Sequence, residues 1–381
     1  MLKDRSAIVG VGCTAFAKNL AESELELACG AIKAALDDAG IAPREVDAVA
    51  SFTQEETPEF EIARNLGFGE LHAFSQVAHG GGAICGAVGQ AAVAVAAGVA
   101  RTAVVWRARK RGDPSKRQWA AVRARVSDHW KWSRPHGLLR PVDEVAVLAR
   151  RYMHEYGLTR EQLASVALTQ RAYANANPGA LMRGRPLDLE SYMAGRMISD
   201  PLCIFDNCLE SDGAAAIVLT STERARDLCR PPVLIHAFSQ GMSRQHQLMS
   251  DYHGADPLRS SSWATAANLW RQSDIGPDGL DVAQIYDAFS PMVLFCLEAY
   301  GVCARGEAGA FAAAGELGPG GRLPTNTSGG SLSEVYLHGA NLLVEAVRQL
   351  RGEAATQIEG ARACLVATCD STPNGALILR R

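Results

Sequence analysis

Apolar residues alternate along this chain between short β-type runs and longer runs with helical spacing. Residues 7–12 (AIVGVG) predict an opening strand, and Ser23 with Glu26 forms a capping box before a helix that we expect to end at Gly40. The apolar run at residues 46–52 predicts the next strand. Strands that alternate with helices in this way indicate an α/β fold.

The second half of the chain repeats the order of the first half. Three of its strand-like segments each parallel an earlier one: residues 232–239 parallel the opening strand, residues 280–289 parallel residues 46–52, and residues 363–369 parallel residues 102–107. This repetition predicts an internal duplication. We place the two halves at residues 1–230 and 231–381.

A segment rich in glycine and hydroxyl side chains, residues 324–340 (PTNTSGGSLSEVYLHGA), precedes a helix predicted for residues 341–350. Its consecutive glycines let backbone N–H groups approach a ligand, and the start of a helix adds a positive dipole. Tyr336 and His338 stand near such a site and both exchange protons. The expected substrate- or oxyanion-binding residues of this segment are Ser328, Gly329, Gly330 and His338. The alternative is a glycine-rich turn on which the two rings only pack.

Composition narrows the class of protein. The 381 residues are 48% hydrophobic and 21% charged, which is typical of a soluble globular enzyme, and a net charge of −3 does not favour nucleic acid as a partner. The longest apolar run, residues 83–100, consists mostly of Ala, Gly and Val, which predicts a buried helix and not a membrane span. No signal peptide is expected, because Lys3, Asp4 and Arg5 lead directly into the first strand.

The ten cysteines have no CxxC or Cys/His spacing of a metal site. They are scattered through apolar segments, which favours free thiols in a reducing compartment. We therefore expect a cytoplasmic protein that holds no disulfide and no metal.

Residues 107–141 differ from the rest of the chain and are predicted to form an irregular basic insertion. Eleven Arg and Lys side chains are accompanied there by two Asp side chains, with Trp119, Trp130 and Trp132 between them. This pattern suits the phosphates and adenine of a nucleotide-tailed thioester, a subunit interface, a nucleic acid, or a solvated insertion. The sequence leaves these alternatives open.

The chain resembles the thiolase superfamily over nearly its whole length, specifically the branch of the sterol-carrier-protein-type thiolases. The resemblance is carried by AIVGVGCTAF at the start, YMHEYGLT at residues 152–159, NANP at 175–178, SDGAAAIVL at 211–219, YDAF from Tyr286, and LPTNTSGG with HGANLLVEAVRQLRG near the end. It implies a duplicated, five-layered α/β/α/β/α thiolase fold, usually dimeric. It also implies an acyl-CoA substrate, with coenzyme A as part of the substrate and no separate cofactor.

At three positions the residues of this chain differ from those of the family that it resembles. Gly81 stands where those thiolases have their nucleophilic cysteine, Tyr286 replaces the histidine of an HDxF motif, and Tyr336 replaces the histidine of a GHP motif. Cys369 corresponds to the second catalytic cysteine, but the usual glycine-rich surround is replaced by Asp-Ser-Thr-Pro. A thiolase holds the acyl group as a covalent thioester on its cysteine between two half-reactions. Because that cysteine is replaced by Gly81, ordinary thiolysis is not expected here.

A retro-aldol reaction needs no covalent intermediate. It needs a base for the proton of a β-hydroxyl group and a site that stabilises the thioester enolate. Paired tyrosines without a nucleophile resemble the thiolase-like aldolases of steroid side-chain degradation. That resemblance implies cleavage of a 17-hydroxy steroid side-chain CoA to a 17-ketosteroid and propionyl-CoA, with a partner subunit that combines an OB-fold and a zinc ribbon.

In this hypothesis Tyr286 and Tyr336 form an acid/base pair whose individual roles stay open, and Gly81 leaves room for a fully substituted β-carbon. A free tyrosine has a pKa of about 10, so the base needs a nearby donor or positive dipole. The nearest in sequence are His338 and the turn at residues 328–330.

Two other readings compete with the aldolase. One is a non-catalytic lipid or acyl-CoA carrier that binds a thioester and leaves it intact. The other is an acetyl-CoA acetyltransferase-type thiolase that uses Cys85 or Cys369 as an unusual nucleophile.

Overall fold

The fold was established from a computed structural model, which describes residues 2–78, 83–111, 128–244, 254–368 and 374–381. Gly81 and Cys369, singled out above, lie outside the described residues. So do residues 112–127 of the basic segment.

Within the described residues, nine strands form one mixed sheet and two short strands form a separate hairpin. The sheet strands of the first half are β1 Ser6–Cys13, β2 Ala48–Phe52, β3 Ala73–Val77, β4 Thr102–Lys110 and β7 Asp212–Ser221. Those of the second half are β8 Val233–Gly241, β9 Val282–Ile285, β10 Ala363–Ala367 and β11 Asn374–Arg380. The hairpin pairs β5 Met197–Ser199 with β6 Leu202–Cys203.

The helices occupy the segments between these strands. They are α1 Glu24–Ala39, α2 Glu59–Leu66, α3 Ala83–Ala96, α4 Pro141–Tyr156, α5 Arg160–Ala176, α6 Leu189–Met193, α7 Thr222–Ala225, α8 Ser261–Trp270, α9 Ser290–Ala299, α10 Ala308–Ala313, α11 Gly330–Ser333 and α12 Ala340–Arg351. The predicted capping box of Ser23 and Glu26 begins α1, and Gly40 ends it with a left-handed φ of 67°. None of the described helices combines the length and apolarity needed to cross a bilayer.

The strand order confirms the predicted duplication. The sheet runs β3-β2-β4-β7-β1-β8-β11-β10-β9. In the first half β2 pairs parallel with β4, and β4, β7 and β1 then pair antiparallel. The second half repeats this pattern, because β9 pairs parallel with β10, and β10, β11 and β8 pair antiparallel. The halves meet where β1 pairs with β8 through Ala7↔Leu234 and Ile8↔Val233.

The helices arrange these half-sheets into the expected five layers. Helix α1 covers β1, β4 and β7 on one outer face, and α8 covers β8 and β11 on the other. Helices α3 and α12 contact strands of both halves, so they form the central layer. Small residues allow this close packing: a Cβ on Gly89 of α3 would lie 2.1 Å from the Phe238 ring. The thiolase-type layer architecture is thus confirmed.

The irregular basic insertion was predicted to begin at residue 107, but strand β4 continues to Lys110. Arg107 and Arg109 lie on strand β4, opposite Ala215 and Gly213 of β7, and both side chains are fully buried. Residues alternate faces along a strand, so these two arginines point the same way. The prediction was wrong for residues 107–110 because basic composition was given more weight than the period-two pattern of buried neighbours.

Candidate active site

Two loops bring Tyr286 and Tyr336 together. Tyr286 follows directly after β9, and its N–H donates to the carbonyl of Ala367 at 2.8 Å. Tyr336 lies between α11 and α12, and its N–H donates to Ser211 Oγ at 3.2 Å. The two phenolic oxygens are 3.1 Å apart and share a hydrogen bond, and each residue is only 4% exposed. Residues 50 positions apart in sequence therefore form one buried proton-exchanging pair.

The surroundings of the two phenols differ. Burial raises the pKa of Tyr286 well above the ordinary value, and Tyr336, Cys208 and the carboxylate of Asp287 raise it further. Burial also raises the pKa of Tyr336, with a contribution from Cys208, but Arg109, the hydrogen bond to Tyr286 and Arg107 act in the lowering direction. Burial thus disfavours ionisation of both phenols, but less at Tyr336 than at Tyr286, so Tyr286 is the better hydrogen-bond donor of the pair.

His338 is a neutral ring beside Tyr336. The ring centroids are 4.9 Å apart in an edge-on arrangement. Burial lowers the pKa of His338 well below its usual value, and Arg107 and Arg109 lower it further. Its Nδ1 accepts a hydrogen bond from Arg107 Nε at 3.1 Å, so the ring proton sits on Nε2. The positive charge expected near the phenol thus comes from the arginines and not from this histidine.

The backbone N–H groups that directly follow the turn at residues 328–330 are bound within the chain. The carboxylate of Asp287 accepts the N–H of Ser331 at 2.8 and 2.9 Å and that of Leu332 at 3.2 Å, so it occupies the start of α11. Gly330 has a φ of 61°, and a Cβ there would lie 2.3 Å from Asp287 Oδ2. The start of α11 thus binds an anionic group of this chain, and the oxyanion role expected for Ser328, Gly329 and Gly330 stays a prediction.

Ser328 and Gly329 of the same turn are also used internally. The Ser328 hydroxyl donates to Glu334 Oε2 at 2.6 Å, and its carbonyl accepts from Asn177 Nδ2 at 3.0 Å. A Cβ on Gly329, whose φ is 110°, would lie 2.7 Å from the Ala174 side chain of α5. These residues anchor the loop that carries Tyr336, and the glycines are required for close approach and left-handed backbone.

The buried carboxyl groups of Asp287 and Glu334, which hold the loop that carries Tyr336, predict that the stability of the protein depends on pH. Burial raises the pKa of Asp287 to about 6 and that of Glu334 to about 7. Because both values exceed the unfolded ones of about 4, the stabilising contribution is complete below pH 4 and is lost as the pH rises through 6 and 7.

We therefore expect Glu334→Gln to gain stability relative to wild type between pH 5 and pH 8, by up to about 3 kcal/mol from this linkage. Urea unfolding of both proteins across this range measures the change. Glu22→Gln, at an exposed position, is the control and should show a constant difference. A constant difference for Glu334→Gln as well would contradict the proposed pKa of this carboxyl.

Sequence reasoning missed Arg107 and Arg109 as individual site residues. Arg107 Nη1 donates to the Gln54 carbonyl at 2.6 Å and to Glu55 Oε2 at 3.1 Å, while its Nε holds His338. Arg109 lies two residues further along the same face. The signal that would have found them is the alternation of β4, which places every second side chain toward the site.

Cys85, the thiol considered above as an unusual nucleophile, has the surroundings of a core residue. Cys85 lies in the first turn of α3, is fully buried, and directs its Sγ toward the Val366 carbonyl at 3.8 Å. Burial raises its pKa above the ordinary value, which disfavours the thiolate. Within the described part of the chain no group of three or more His, Cys, Asp or Glu could hold a metal ion.

Two family models match most of the chain: the thiolase N-terminal domain over residues 6–182 and the thiolase C-terminal domain-like family over residues 241–378. The chain is 43% identical to a "Steroid side-chain-cleaving aldolase" of Thermomonospora curvata, covering 100% of this chain and 98% of the relative. It is 42% identical to the "17-hydroxy-3-oxo-4-pregnene-20-carboxyl-CoA lyase" of Mycobacterium tuberculosis, covering 100% of both.

Among solved structures, the "Ltp2-ChsH2(DUF35) aldolase" superposes with a TM-score of 0.94 at 44% identity, over 100% of this chain and 98% of that one. The human mitochondrial 3-ketoacyl-CoA thiolase shares the fold, with a TM-score of 0.71 at 14% identity. The sheet order, the family models and the full-length relatives agree. The chain belongs to the thiolase superfamily, in the branch that includes the steroid side-chain-cleaving aldolases.

Proposed function

We propose that this chain is a carbon–carbon lyase that cleaves a β-hydroxyacyl-CoA thioester by a retro-aldol reaction. The proposed substrate is a 17-hydroxy steroid side-chain CoA, and the products are a 17-ketosteroid and propionyl-CoA. The observation that carries the proposal is the buried pair of phenols 3.1 Å apart. The names of the two full-length relatives support the substrate class. Coenzyme A arrives with the substrate, and the reaction consumes no separate cofactor.

The geometry suggests a closed proton cycle. Tyr336, as phenolate, takes the proton of the β-hydroxyl, a carbonyl forms at Cβ, and the Cα–Cβ bond breaks with its electron pair moving into the thioester enolate. Tyr286 then protonates Cα to give propionyl-CoA. The proton on Tyr336 returns to Tyr286 through their 3.1 Å hydrogen bond, which restores the starting state. Tyr336 is the base because Arg107 and Arg109 favour its ionised form, while Asp287 disfavours ionisation of Tyr286.

Product analysis tests this function. The chain is mixed with a 17-hydroxy steroid propanoyl-CoA, and ketosteroid and propionyl-CoA are measured by mass spectrometry. Cys85→Ala is the control for acyl transfer and should keep full activity, because Cys85 is a buried core thiol. Substrate that binds and stays intact would favour a carrier, and loss of activity in Cys85→Ala would favour a thiolase-type nucleophile.

A partner subunit belongs to the proposal. The similar solved aldolase is named as a complex of Ltp2 with ChsH2(DUF35), and we propose that this chain works with a partner of the OB-fold and zinc-ribbon kind. The product analysis is therefore run with and without such a subunit. Equal turnover in both arms would remove the partner from the proposal.

The free edge of the sheet favours a homodimer. Strand β3 ends the sheet order, and Phe74 on it is 72% exposed. An edge strand offers unpaired backbone groups to a second chain, and an exposed aromatic ring adds apolar area. We propose that two copies meet along β3.

We expect Phe74→Asp to weaken the dimer at least about tenfold, or by about 1.4 kcal/mol, because a charge is placed in the interface. Sedimentation equilibrium measures the change. Leu189→Asp, at an exposed apolar position on α6, is the control and should leave the dimer intact. A monomeric wild-type chain, or equal effects of both variants, would contradict this interface.

The proposed location is the cytoplasm. Several free thiols of the described residues are buried in the core, among them Cys85, Cys203, Cys296 and Cys364. Free thiols persist in reducing compartments, which supports this location.

A further inference from the structure

Arg109 has no hydrogen-bond acceptor in the described part of the chain. Its side chain is fully buried, and Nε, Nη1 and Nη2 all lack a partner. Its neighbour Arg107 is bound to Gln54, Glu55 and His338. A guanidinium cannot lose its charge at ordinary pH, and Glu24 attracts the charge of Arg109 through space without accepting a hydrogen bond from it, so the buried N–H groups stay unsatisfied at a cost in free energy. Such a group is maintained where an acceptor arrives from beyond the described residues, as a substrate does.

The backbone places this guanidinium beside the tyrosine pair. Arg109 pairs with Gly213 on β7, and Ser211, two residues before Gly213, accepts the N–H of Tyr336 at 3.2 Å. Arg109 also shares a strand face with Arg107, which binds His338 two residues after Tyr336. Its charge acts on the pKa of both Tyr336 and Cys208, which agrees with this position.

The retro-aldol reaction needs donors for an oxyanion, and Asp287 already binds the N–H groups of Ser331 and Leu332 that follow the predicted turn. Resting on the proposed function, we propose that Arg109 binds the thioester oxygen of the acyl-CoA substrate and stabilises it as it becomes the enolate oxyanion. Arg109 donates hydrogen bonds only; the proton transfers stay with the two tyrosines. A phosphate of coenzyme A is the other anionic oxygen that a guanidinium binds, but the full burial of Arg109 on the strand face near the tyrosine pair favours the thioester.

The test measures enolate formation in a reaction that breaks no carbon–carbon bond. Propionyl-CoA is incubated in deuterated water with the full chain, together with its partner subunit if product analysis shows that it is required. Deuterium at Cα is then measured by mass spectrometry. We expect exchange by wild type, a loss in rate of about 100-fold or more in Arg109→Met with little change in KM, and an intermediate rate in Arg109→Lys.

Propionyl-pantetheine, which lacks the nucleotide phosphates, separates the two anionic oxygens. An equal loss with both thioesters supports the thioester oxygen as the ligand of Arg109, and a loss confined to propionyl-CoA overturns it in favour of a phosphate. Absence of exchange by wild type also overturns the proposal. If wild type exchanges deuterium and leaves the steroid thioester intact, the proposed retro-aldol function fails while the oxyanion site stands.

Stability gives a second readout. Arg351 is a matched control, since its side chain is also fully buried but it is paired with Asp38 at 2.7 Å. We expect Arg351→Met to lower the midpoint of unfolding and to keep the exchange rate, whereas Arg109→Met should keep or raise the midpoint. If Arg109→Met loses as much stability as Arg351→Met, Arg109 has a structural partner and the proposal is wrong.

Discussion

Replacing either phenol of the pair by phenylalanine is expected to abolish most of the turnover. Tyr286→Phe and Tyr336→Phe each remove one oxygen of a hydrogen bond 3.1 Å long, and proton transfer by a positioned side chain contributes about 10²- to 10⁴-fold. We expect kcat/KM to fall by this factor in each variant. Because the two groups share one proton cycle, the double variant should lose little more than the worse single variant.

Product formation measured against substrate concentration separates chemistry from binding. KM is expected to change little, because the lost interactions act mainly in the transition state. Tyr173→Phe is the matched control: Tyr173 is also buried and donates to the Leu317 carbonyl at 3.2 Å, so it should lose about 1 kcal/mol of stability and no turnover. Wild-type turnover in both paired variants would return Tyr286 and Tyr336 to packing roles.

The second large effect is expected at Asp287, which holds the loop beneath the tyrosine pair. Asp287→Ala leaves the buried N–H groups of Ser331 and Leu332 without an acceptor, and each such group costs about 1–3 kcal/mol. We expect a loss of about 2–5 kcal/mol in the free energy of unfolding. Asp287→Asn keeps one oxygen and should lose less. Equal unfolding free energies for the Ala and Asn variants would show that the hydrogen bonds contribute nothing.

The contact between Asp287 and the start of α11 can also be tested at Gly330. Gly330→Ala places a Cβ 2.3 Å from Asp287 Oδ2 in addition to the strain of a left-handed backbone, so a loss of at least about 3 kcal/mol is expected. Gly352→Ala carries only the strain, because its φ is 78° and no atom lies within 4 Å of the added Cβ. It should lose about 1–2 kcal/mol. Similar losses in both variants would argue against the close approach of Asp287.

Local patterns in the sequence determined the alternation of strands and helices and the duplication, while the five-layered arrangement followed from the family resemblance. Apolar runs bounded by glycine mark the strands, the capping box of Ser23 and Glu26 marks the start of α1, and the repeated order marks the duplication. These signals are local because hydrogen bonds within a helix and alternation along a strand depend on near neighbours. The family resemblance then placed Tyr286 and Tyr336 at equivalent motif positions, although residue spacing alone left packing as an alternative.

The tertiary structure alone decided which groups are free to act. Asp287 and the start of α11 are 44 residues apart, so no local pattern shows that this carboxylate binds the N–H of Ser331, directly after the turn expected to bind substrate. Arg109 belongs to a basic stretch in the sequence and to a buried strand in the structure. Burial, pairing and the sign of a pKa shift depend on groups that only folding brings together, because desolvation and Coulomb interactions act through space and not along the chain.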